Sequence, residues 1–182
     1  ANNSKMRSHT LHFTSKSLHD ISGGGRFSHF QALSAIIWKS IAGIRLIGNR
    51  NPSAVCVVRS QDRENYVVRN RLLFSYGQID SPVVDSNVAD LAAFIASKEN
   101  QETVFFDEHR PPKVPYGAVL TFVNLEEADV YSLEMKGKKP MFVTYTIDGV
   151  GEEGSVLFLR GPGGGETLTL IFEEEELGKI MR

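Results

Sequence analysis

The sequence predicts a mixed α/β domain of the layered type, in which helices pack against a sheet. Two segments in the first hundred residues show helical spacing of their apolar residues, and four short β-rich runs follow from residue 117 onwards. The hydrophobic fraction of 41% in 182 residues is sufficient to bury a core. We therefore expect residues 1–182 to form a single domain, although a fragment of a larger protein would show the same composition.

The N-terminal residues predict a strand followed by a short helix. Apolar and polar residues alternate over residues 8–13, which places Thr10 and His12 on the opposite face of the strand from the apolar side chains. Thr14 is suited to cap a helical turn over residues 15–21.

Residues 28–45 carry the strongest helix signal. Ser28 and Gln31 have the spacing of a capping box, in which each side chain bonds the backbone amide of the other residue. Apolar residues then recur at helical spacing, at Phe30, Leu33, Ile37, Ile41 and Ile44. This pattern predicts a buried amphipathic helix.

The remaining segments predict a second long helix, strands and a closing helix. Asp85 and Ser86 are the expected caps of a helix that begins near residue 88. Strands are expected at residues 54–59, 117–125, 140–147, 154–160 and 166–172. Three prolines within residues 102–115 predict a loop, and residues 173–182 have the acidic start and basic end of a helix.

The composition argues against several classes of partner. The net charge is -2, so neither a nucleic-acid surface nor an anionic-membrane surface is expected. The single cysteine, Cys56, rules out a disulfide within the chain and favours a reducing compartment. No apolar stretch approaches the roughly 20 residues of a membrane-spanning helix, and the polar first residues are unlike a signal peptide. We therefore expect a cytoplasmic protein without a membrane span.

The glycine runs and histidines match no catalytic or metal-binding motif. Residues 161–165 lie between two predicted strands, whereas a phosphate loop precedes a helix, so we interpret them as a hairpin turn. Residues 23–25 lack the rest of a nucleotide-binding pattern and are interpreted as a connector. The five histidines show no H-x-x-x-H spacing, so no metal site is expected. There is no G-x-S-x-G element, although a triad built from distant residues is left open.

Three segments of the chain, taken in order, carry a family resemblance. Residues 27–40 read Phe-Ser-His-Phe-Gln-Ala-Leu-Ser-Ala-Ile-Ile-Trp-Lys-Ser, and residues 139–143 read Lys-Pro-Met-Phe-Val. Residues 151–154, Gly-Glu-Glu-Gly, lead through the turn at 161–165 to the acidic final segment. Together these segments resemble the C-terminal half of the plant BAHD acyl-CoA-dependent acyltransferases, whose helix motif is S-x-F-(E/Q)-A-L-x-A-x-x-W-(R/K).

The resemblance spans nearly the whole chain and has several implications. It implies one half of the chloramphenicol-acetyltransferase-like BAHD fold, with an N-terminal BAHD domain as the partner. It also implies acyl-CoA as substrate or ligand, with no bound cofactor. This chain would form part of the CoA tunnel and one wall of the acceptor site.

The catalytic motif of the family is missing from the sequence. BAHD enzymes carry H-x-x-x-D in their N-terminal half, where the histidine acts as general base. None of the histidines here has an aspartate four residues further on. The resemblance therefore implies no catalytic residue in this chain, and the sequence leaves open whether the parent protein is an enzyme.

A second family motif, D-F-G-W-G, is altered. Asp129 and Gly137 are the candidates for its two ends, with Lys139 and Pro140 following, and a longer sequence replaces its centre. In the family this element has a structural role that includes an ion pair from its aspartate. Arg63 is the candidate partner for that ion pair.

The altered element, with residues 120–131 and 149–154, resembles the eceriferum or Glossy-type branch of the family. That resemblance implies an accessory to very-long-chain fatty-acid elongation in cuticular wax synthesis. The protein would assist the elongase condensing enzyme and associate with the endoplasmic reticulum through a partner. An acyl tail would lie in a tunnel lined by residues 117–125 and 140–147. Two alternatives remain, namely an active transferase from acyl-CoA to an alcohol or amine, and a non-enzymatic or truncated interaction module.

Overall fold

The structure, a computed structural model, describes residues 5–22, 25–48, 52–60, 72–101, 117–128, 130–143 and 145–182. The strands are β1 (Met6–Phe13), β2 (Ala54–Ser60), β3 (Leu72–Gln78), β4 (Leu120–Asn124), β5 (Ser155–Arg160) and β6 (Glu166–Glu173). The helices are α1 (Ser15–Ile21), α2 (His29–Leu46), α3 (Val88–Glu99) and α4 (Glu174–Ile180). The predicted mixed α/β class is confirmed.

The described strands form one mixed sheet in the order β1-β6-β5-β4-β2-β3. β4 runs parallel to both β2 and β5, and the other neighbouring pairs are antiparallel. β5 and β6 form a hairpin through residues 161–165, which confirms that this glycine-rich run is a turn. The parallel strands occupy the centre of the sheet, where both of their faces are covered.

The capping box fixes the start of α2 as the sequence predicted. The Ser28 amide donates to Gln31 Oε1 at 3.0 Å, and the Gln31 amide donates to Ser28 Oγ at 3.2 Å. Further along α2, the fully buried Trp38 donates its indole N–H to the carbonyl of Pro52 at 2.6 Å. The start of the helix is therefore fixed by local hydrogen bonds, and its middle is anchored to the loop that contains Pro52.

The helices cover one face of the sheet and enclose the larger core. In this core the ring of Phe30 from α2 meets that of Phe158 from β5 edge-on, with centroids 4.7 Å apart. A smaller core lies on the opposite face, where Tyr145, Ile147 and Val150 pack over the sheet. Thr10 and His12 point to this second face and contact Thr169 and Thr167, as their alternation predicted.

The expected cap of α3 was wrong by one or two residues. Asn87 is the cap residue, and its Oδ1 accepts from the Asp90 amide at 2.8 Å. Ser86 belongs instead to the preceding turn, where its amide donates to Val83 and its hydroxyl to Pro82. Several consecutive residues of this segment can cap a helix, and the turn decides which of them does so.

The strand expected at residues 140–147 was also wrong. Its described residues form no strand, and they cross the second face of the sheet instead of extending its edge. Pro140 has no amide to donate to a ladder, while Tyr145 and Ile147 are partly buried on either side of an exposed residue. This alternation of partly buried and exposed side chains is also typical of a strand. Conversely, β3 had no counterpart among the expected strands, and the predicted loop at 102–115 lies outside the described residues.

Candidate functional site

A cleft opens beside the hairpin turn at residues 161–165, where the N-terminus of α2 faces the start of β6. Its volume is about 490 Å³. The polar side chains that matter for its chemistry are His19, His29, Glu126, Arg160 and Glu166. We call it the carboxyl cleft, because two of these five side chains are carboxyl groups with perturbed pKa values.

Glu166 and His29 form the contact at the base of the carboxyl cleft. Glu166 is the first residue of β6 and only 6% exposed, and His29 is the first residue of α2. Glu166 Oε1 lies 2.9 Å from His29 Nδ1. The other oxygen, Oε2, is buried without a partner at hydrogen-bond distance in the described part of the chain. The capping box that starts α2 therefore also positions the imidazole against this carboxyl group.

Glu126 is held beside this pair by a chain of polar contacts. Its amide donates to Asn124 Oδ1 at 3.0 Å, directly after β4 ends. Asn124 Nδ2 donates to Glu99 Oε1 at 3.0 Å, and Gln31 Nε2 donates to Glu99 Oε2 at 2.7 Å. Glu126 is thus connected to α2 and α3 through side chains that each have a defined partner.

Burial raises the pKa of Glu126 to about 8, and interaction with Glu166 and the charge of Glu99 add to the effect, while His29 opposes it. Burial also raises the pKa of Glu166, whereas its interactions with Glu126 and Arg160 lower it. The interaction between the two carboxyl groups raises the pKa of Glu126 and lowers that of Glu166, so it favours the proton on Glu126.

The carboxyl cleft therefore combines two carboxyl groups and an imidazole ring within one small space, and the raised pKa of Glu126 favours the neutral form of that carboxyl group. Such a set can donate to a polar group, accept from it and exchange a proton with it. Among the described residues, no group of three or more His, Cys, Asp or Glu side chains is arranged to hold a metal ion.

A second cleft of about 490 Å³ lies on the other side of the same hairpin turn. Residues 12–16 form one wall and Gly161, Gly163 and Gly165 the other. Lys16 is its cationic side chain, so we call it the lysine cleft. The two walls come closest together at Gly165, where a Cβ would lie 2.3 Å from the Phe13 carbonyl oxygen.

Arg45 makes buried ionic contacts with two glutamates, and these contacts are structural. It is 3% exposed, and its Nε and Nη2 donate to the two carboxylate oxygens of Glu176 at 2.6 and 2.9 Å. Nη1 contacts the Glu153 carboxylate. Burial lowers the pKa of Arg45, but the hydrogen bond of Glu176 and the charges of Glu176, Glu153 and Glu173 together raise it by more. The contacts join α2, α4 and the turn before β5, and Arg45 lines neither of the two clefts.

Cys56 is not a nucleophile in this structure. It is 1% exposed within β2, and burial raises the pKa of its thiol to about 12, against a smaller opposing effect of Tyr76. The thiolate is the reactive form, so the side chain is inert at neutral pH.

The residues that the sequence offered for the altered family motif do not meet in the carboxyl cleft. Gly137, Lys139 and Pro140 lie in a loop on the surface, and Gly137 has a φ of 75° at a tight turn. Asp129 and its candidate partner Arg63 lie outside the described residues, so their ion pair stays a prediction.

Sequence reasoning missed Glu126, Glu166 and His29 as a group. Between 40 and 137 residues separate their positions in the sequence, so no local spacing connects them. The available signal was weak: a glutamate at the first position of a strand in which apolar residues and threonines alternate. The pairing of β5 with both β4 and β6 and the docking of α2 bring the three side chains together.

Comparison with solved structures defines the class of the fold. Vinorine synthase superposes with a TM-score of 0.68 at 17% identity, covering 96% of this chain and 46% of that enzyme. TRI101 of F. sporotrichioides, solved with coenzyme A and T-2, gives a TM-score of 0.67 at 14% identity, covering 98% of this chain and 49% of its own. The fold is therefore that of about half of a BAHD acyltransferase.

Sequence comparison identifies relatives within this class of fold. Protein ECERIFERUM 2 of Arabidopsis thaliana is 34% identical over 160 residues, which cover 85% of this chain and 37% of that relative. Protein ECERIFERUM 26-like of the same plant is 30% identical over 187 residues, covering 98% of this chain and 43% of the relative. No family model matches the chain. The chain belongs to the BAHD family, in its eceriferum branch, and spans less than half the length of these relatives.

Proposed function

We propose that this chain is the C-terminal half of a BAHD-fold protein that binds very-long-chain acyl-CoA and assists fatty-acid elongation in cuticular wax synthesis. The observation that carries the proposal is the similarity to eceriferum proteins over 85% and 98% of the chain. The protein would work in the cytoplasm at the endoplasmic reticulum, beside the elongase condensing enzyme. The described part of the chain contains no helix long and apolar enough to cross a membrane.

Acyl-CoA is the proposed ligand because TRI101, a protein of the same fold, was solved in complex with coenzyme A. Coenzyme A carries several phosphate charges, and Lys16 and Arg160 present cations at the two clefts beside the hairpin turn. We place the anionic part of the ligand along this turn. The raised pKa of Glu126, about 8, reduces the negative charge that the carboxyl cleft presents to such a ligand at neutral pH.

The acyl tail is not placed between residues 117–125 and 140–147, where the sequence suggested a tunnel. The side chains of Leu120, Phe122 and Val123 are at most 1% exposed and fill the two cores. Residues 140–147 form no opposing strand in their described part. An acyl tail would need apolar surface that this chain contributes elsewhere or that another part of the parent protein supplies.

An accessory role is preferred over acyl transfer because the chain belongs to the eceriferum branch and because its counterpart of the D-F-G-W-G element, from Asp129 to Gly137, is altered. The carboxyl cleft could exchange a proton, but the Glu166 carboxyl group is engaged with His29, and the backbone amide of Glu126 is bonded to Asn124. The mechanism is therefore binding: the protein would retain or present an acyl-CoA while another enzyme lengthens it.

The decisive test compares elongation with CoA release. The full-length protein is added to a reconstituted condensing enzyme, and acyl chain length is measured beside release of free CoA with alcohol and amine acceptors. Longer products without acceptor-dependent CoA release support the accessory role. Acceptor-dependent release would instead establish a transferase whose catalytic base lies in a different part of the protein, and neither effect would leave only an interaction module.

Acyl-CoA binding itself is tested by affinity across a series of chain lengths. If the tail is buried, each added two-carbon unit increases affinity by up to about fifteenfold, since a buried CH₂ contributes about 0.8 kcal/mol. Lys16→Gln should weaken binding by about tenfold through the loss of one charged contact. Lys179→Gln, which alters an exposed lysine on α4, is the matched control. Affinity that does not change with chain length would contradict the buried tail.

A further inference from the structure

Residues 133–142 form a surface loop with an unusual density of exposed apolar side chains. Leu133, Met135, Met141 and Phe142 are 64%, 78%, 92% and 57% exposed. Isolated exposed apolar residues are common on proteins, but four within ten residues form a local cluster that usually has a partner. We call this segment the basic-apolar loop.

The same loop concentrates positive charge. The loop contains three lysines and only one acidic residue, and all four of these side chains are exposed: Lys136, Lys138, Lys139 and Glu134. The chain as a whole has a net charge of -2. The net charge was the reason not to expect binding to an anionic membrane. A net charge does not show how the charges are distributed over the surface.

The tip of the loop is a tight turn that projects these side chains outward. The amide of Met135 donates to the carbonyl of Lys138 at 2.9 Å, and the reverse bond is 3.1 Å. Lys136 and Gly137 have φ angles of 53° and 75°. Two consecutive positive φ values between paired residues are typical of a type I′ hairpin turn.

The base of the loop is closed by a contact between its two ends and packs against β1 on one side. The amide of Val143 donates to the Tyr131 hydroxyl at 3.2 Å. The ring of Phe142 lies against His12 of β1, with centroids 5.5 Å apart. The base of the loop is therefore anchored, and its exposed tip can contact another surface.

We propose that the basic-apolar loop inserts at the surface of a membrane that contains anionic lipids. Methionine and leucine side chains would enter the region between headgroups and acyl chains, and the three lysines would contact lipid phosphates. Peripheral membrane segments combine apolar residues with lysine or arginine in this manner. A protein interface fits less well, because lysine is depleted at the centre of such interfaces. The loop does not span the membrane, and the proposal does not depend on acyl-CoA binding.

The proposal is tested by vesicle flotation with the full-length protein. Phosphatidylcholine vesicles are compared with vesicles that also contain phosphatidylserine, at low and high salt. Binding should require phosphatidylserine and weaken at high salt, because salt screens surface charge. This comparison uses the unaltered protein, so it does not depend on the folding of a variant.

Variants then locate the contact. Lys136→Asn, Lys138→Gln and Lys139→Gln should each weaken partitioning about fivefold, and about a hundredfold together. Met135→Ser and Met141→Ser should each weaken it about tenfold. The matched control combines Ile47→Ser with Lys179→Gln, because Ile47 is 89% exposed on a different element.

Three outcomes would overturn the proposal. One is absence of flotation with phosphatidylserine vesicles, and another is an equal loss of binding in the control. The third is concentration-dependent self-association that the Met135→Ser variant abolishes while vesicle binding is unchanged, which would make the loop a contact between copies. Selective loss in the loop variants, with unchanged thermal unfolding, supports membrane insertion.

Discussion

Replacing Glu126 by glutamine tests the unusual protonation of the carboxyl cleft. Glutamine has the shape of the protonated acid and can still donate toward Glu166, but it cannot lose a proton. In the wild-type protein, burial and the neighbouring carboxyl groups hold the Glu126 pKa at about 8, against an ordinary value of 4.5. The folded state therefore retains a proton that the unfolded chain releases.

The direction of the pH dependence follows from that difference. The contribution of Glu126 to stability is complete below about pH 4.5 and is lost as the pH rises toward about 8. One proton gives a slope of at most about 1.4 kcal/mol per pH unit. Because Glu126 is partly exposed and coupled to Glu166, we expect a total loss on the order of 2–4 kcal/mol across this window. Glu126→Gln should match the wild type at low pH and exceed its stability at high pH by that amount.

Urea unfolding at a series of pH values between about 5 and 9 measures this difference directly. Glu127→Gln is the matched control, since Glu127 is the exposed neighbour in the chain and should leave the wild-type profile unchanged. If Glu126→Gln retains the wild-type slope across the window, the proton is not on Glu126 and the assignment within the carboxyl cleft is wrong.

Three further predictions concern the frame around the clefts. Arg45→Ala should lower the free energy of unfolding by about 3–5 kcal/mol, because it leaves a buried carboxylate without its partner; a loss below about 1 kcal/mol in urea unfolding would contradict this. Gly154→Ala should destabilise the protein by about 1–3 kcal/mol more than Gly149→Ala, since both have positive φ but only at Gly154 would the new Cβ meet Phe172, at 2.3 Å; equal losses in thermal unfolding would show that the steric contact is unimportant. Cys56 should resist thiol-specific labelling in the folded protein and react fully in denaturant, because its thiol is buried with a pKa of about 12; rapid labelling of the native state would show that β2 opens.

Local sequence signals determined the helices most reliably. Ser28 and Gln31 form the capping box that their spacing predicted, and Thr14 caps α1 by accepting from the Ser17 amide. These interactions join residues three positions apart, so they depend on little besides the local chain. The alternation that directed Thr10 and His12 to one face of β1 is local in the same sense.

The expected strand at residues 140–147 shows where local signals fail. Alternating apolar and polar residues indicate that one side of a segment packs against apolar surface. They do not indicate whether its backbone forms hydrogen bonds with a neighbouring strand. Residues 145 and 147 are buried by the face of the sheet, whereas β3 is defined by its pairing with β2 despite a less regular pattern. Pairing partners distant in the sequence decided both cases.

The sequence by itself determined the family resemblance, the mixed α/β class and the absence of an H-x-x-x-D sequence, because each is read from short runs of residues. Only the tertiary structure placed Glu126 beside Glu166 and His29, and only it showed that the lysines and apolar side chains of residues 133–142 are exposed together. Protonation and surface charge depend on distance and burial, and both are set by strand order and helix docking.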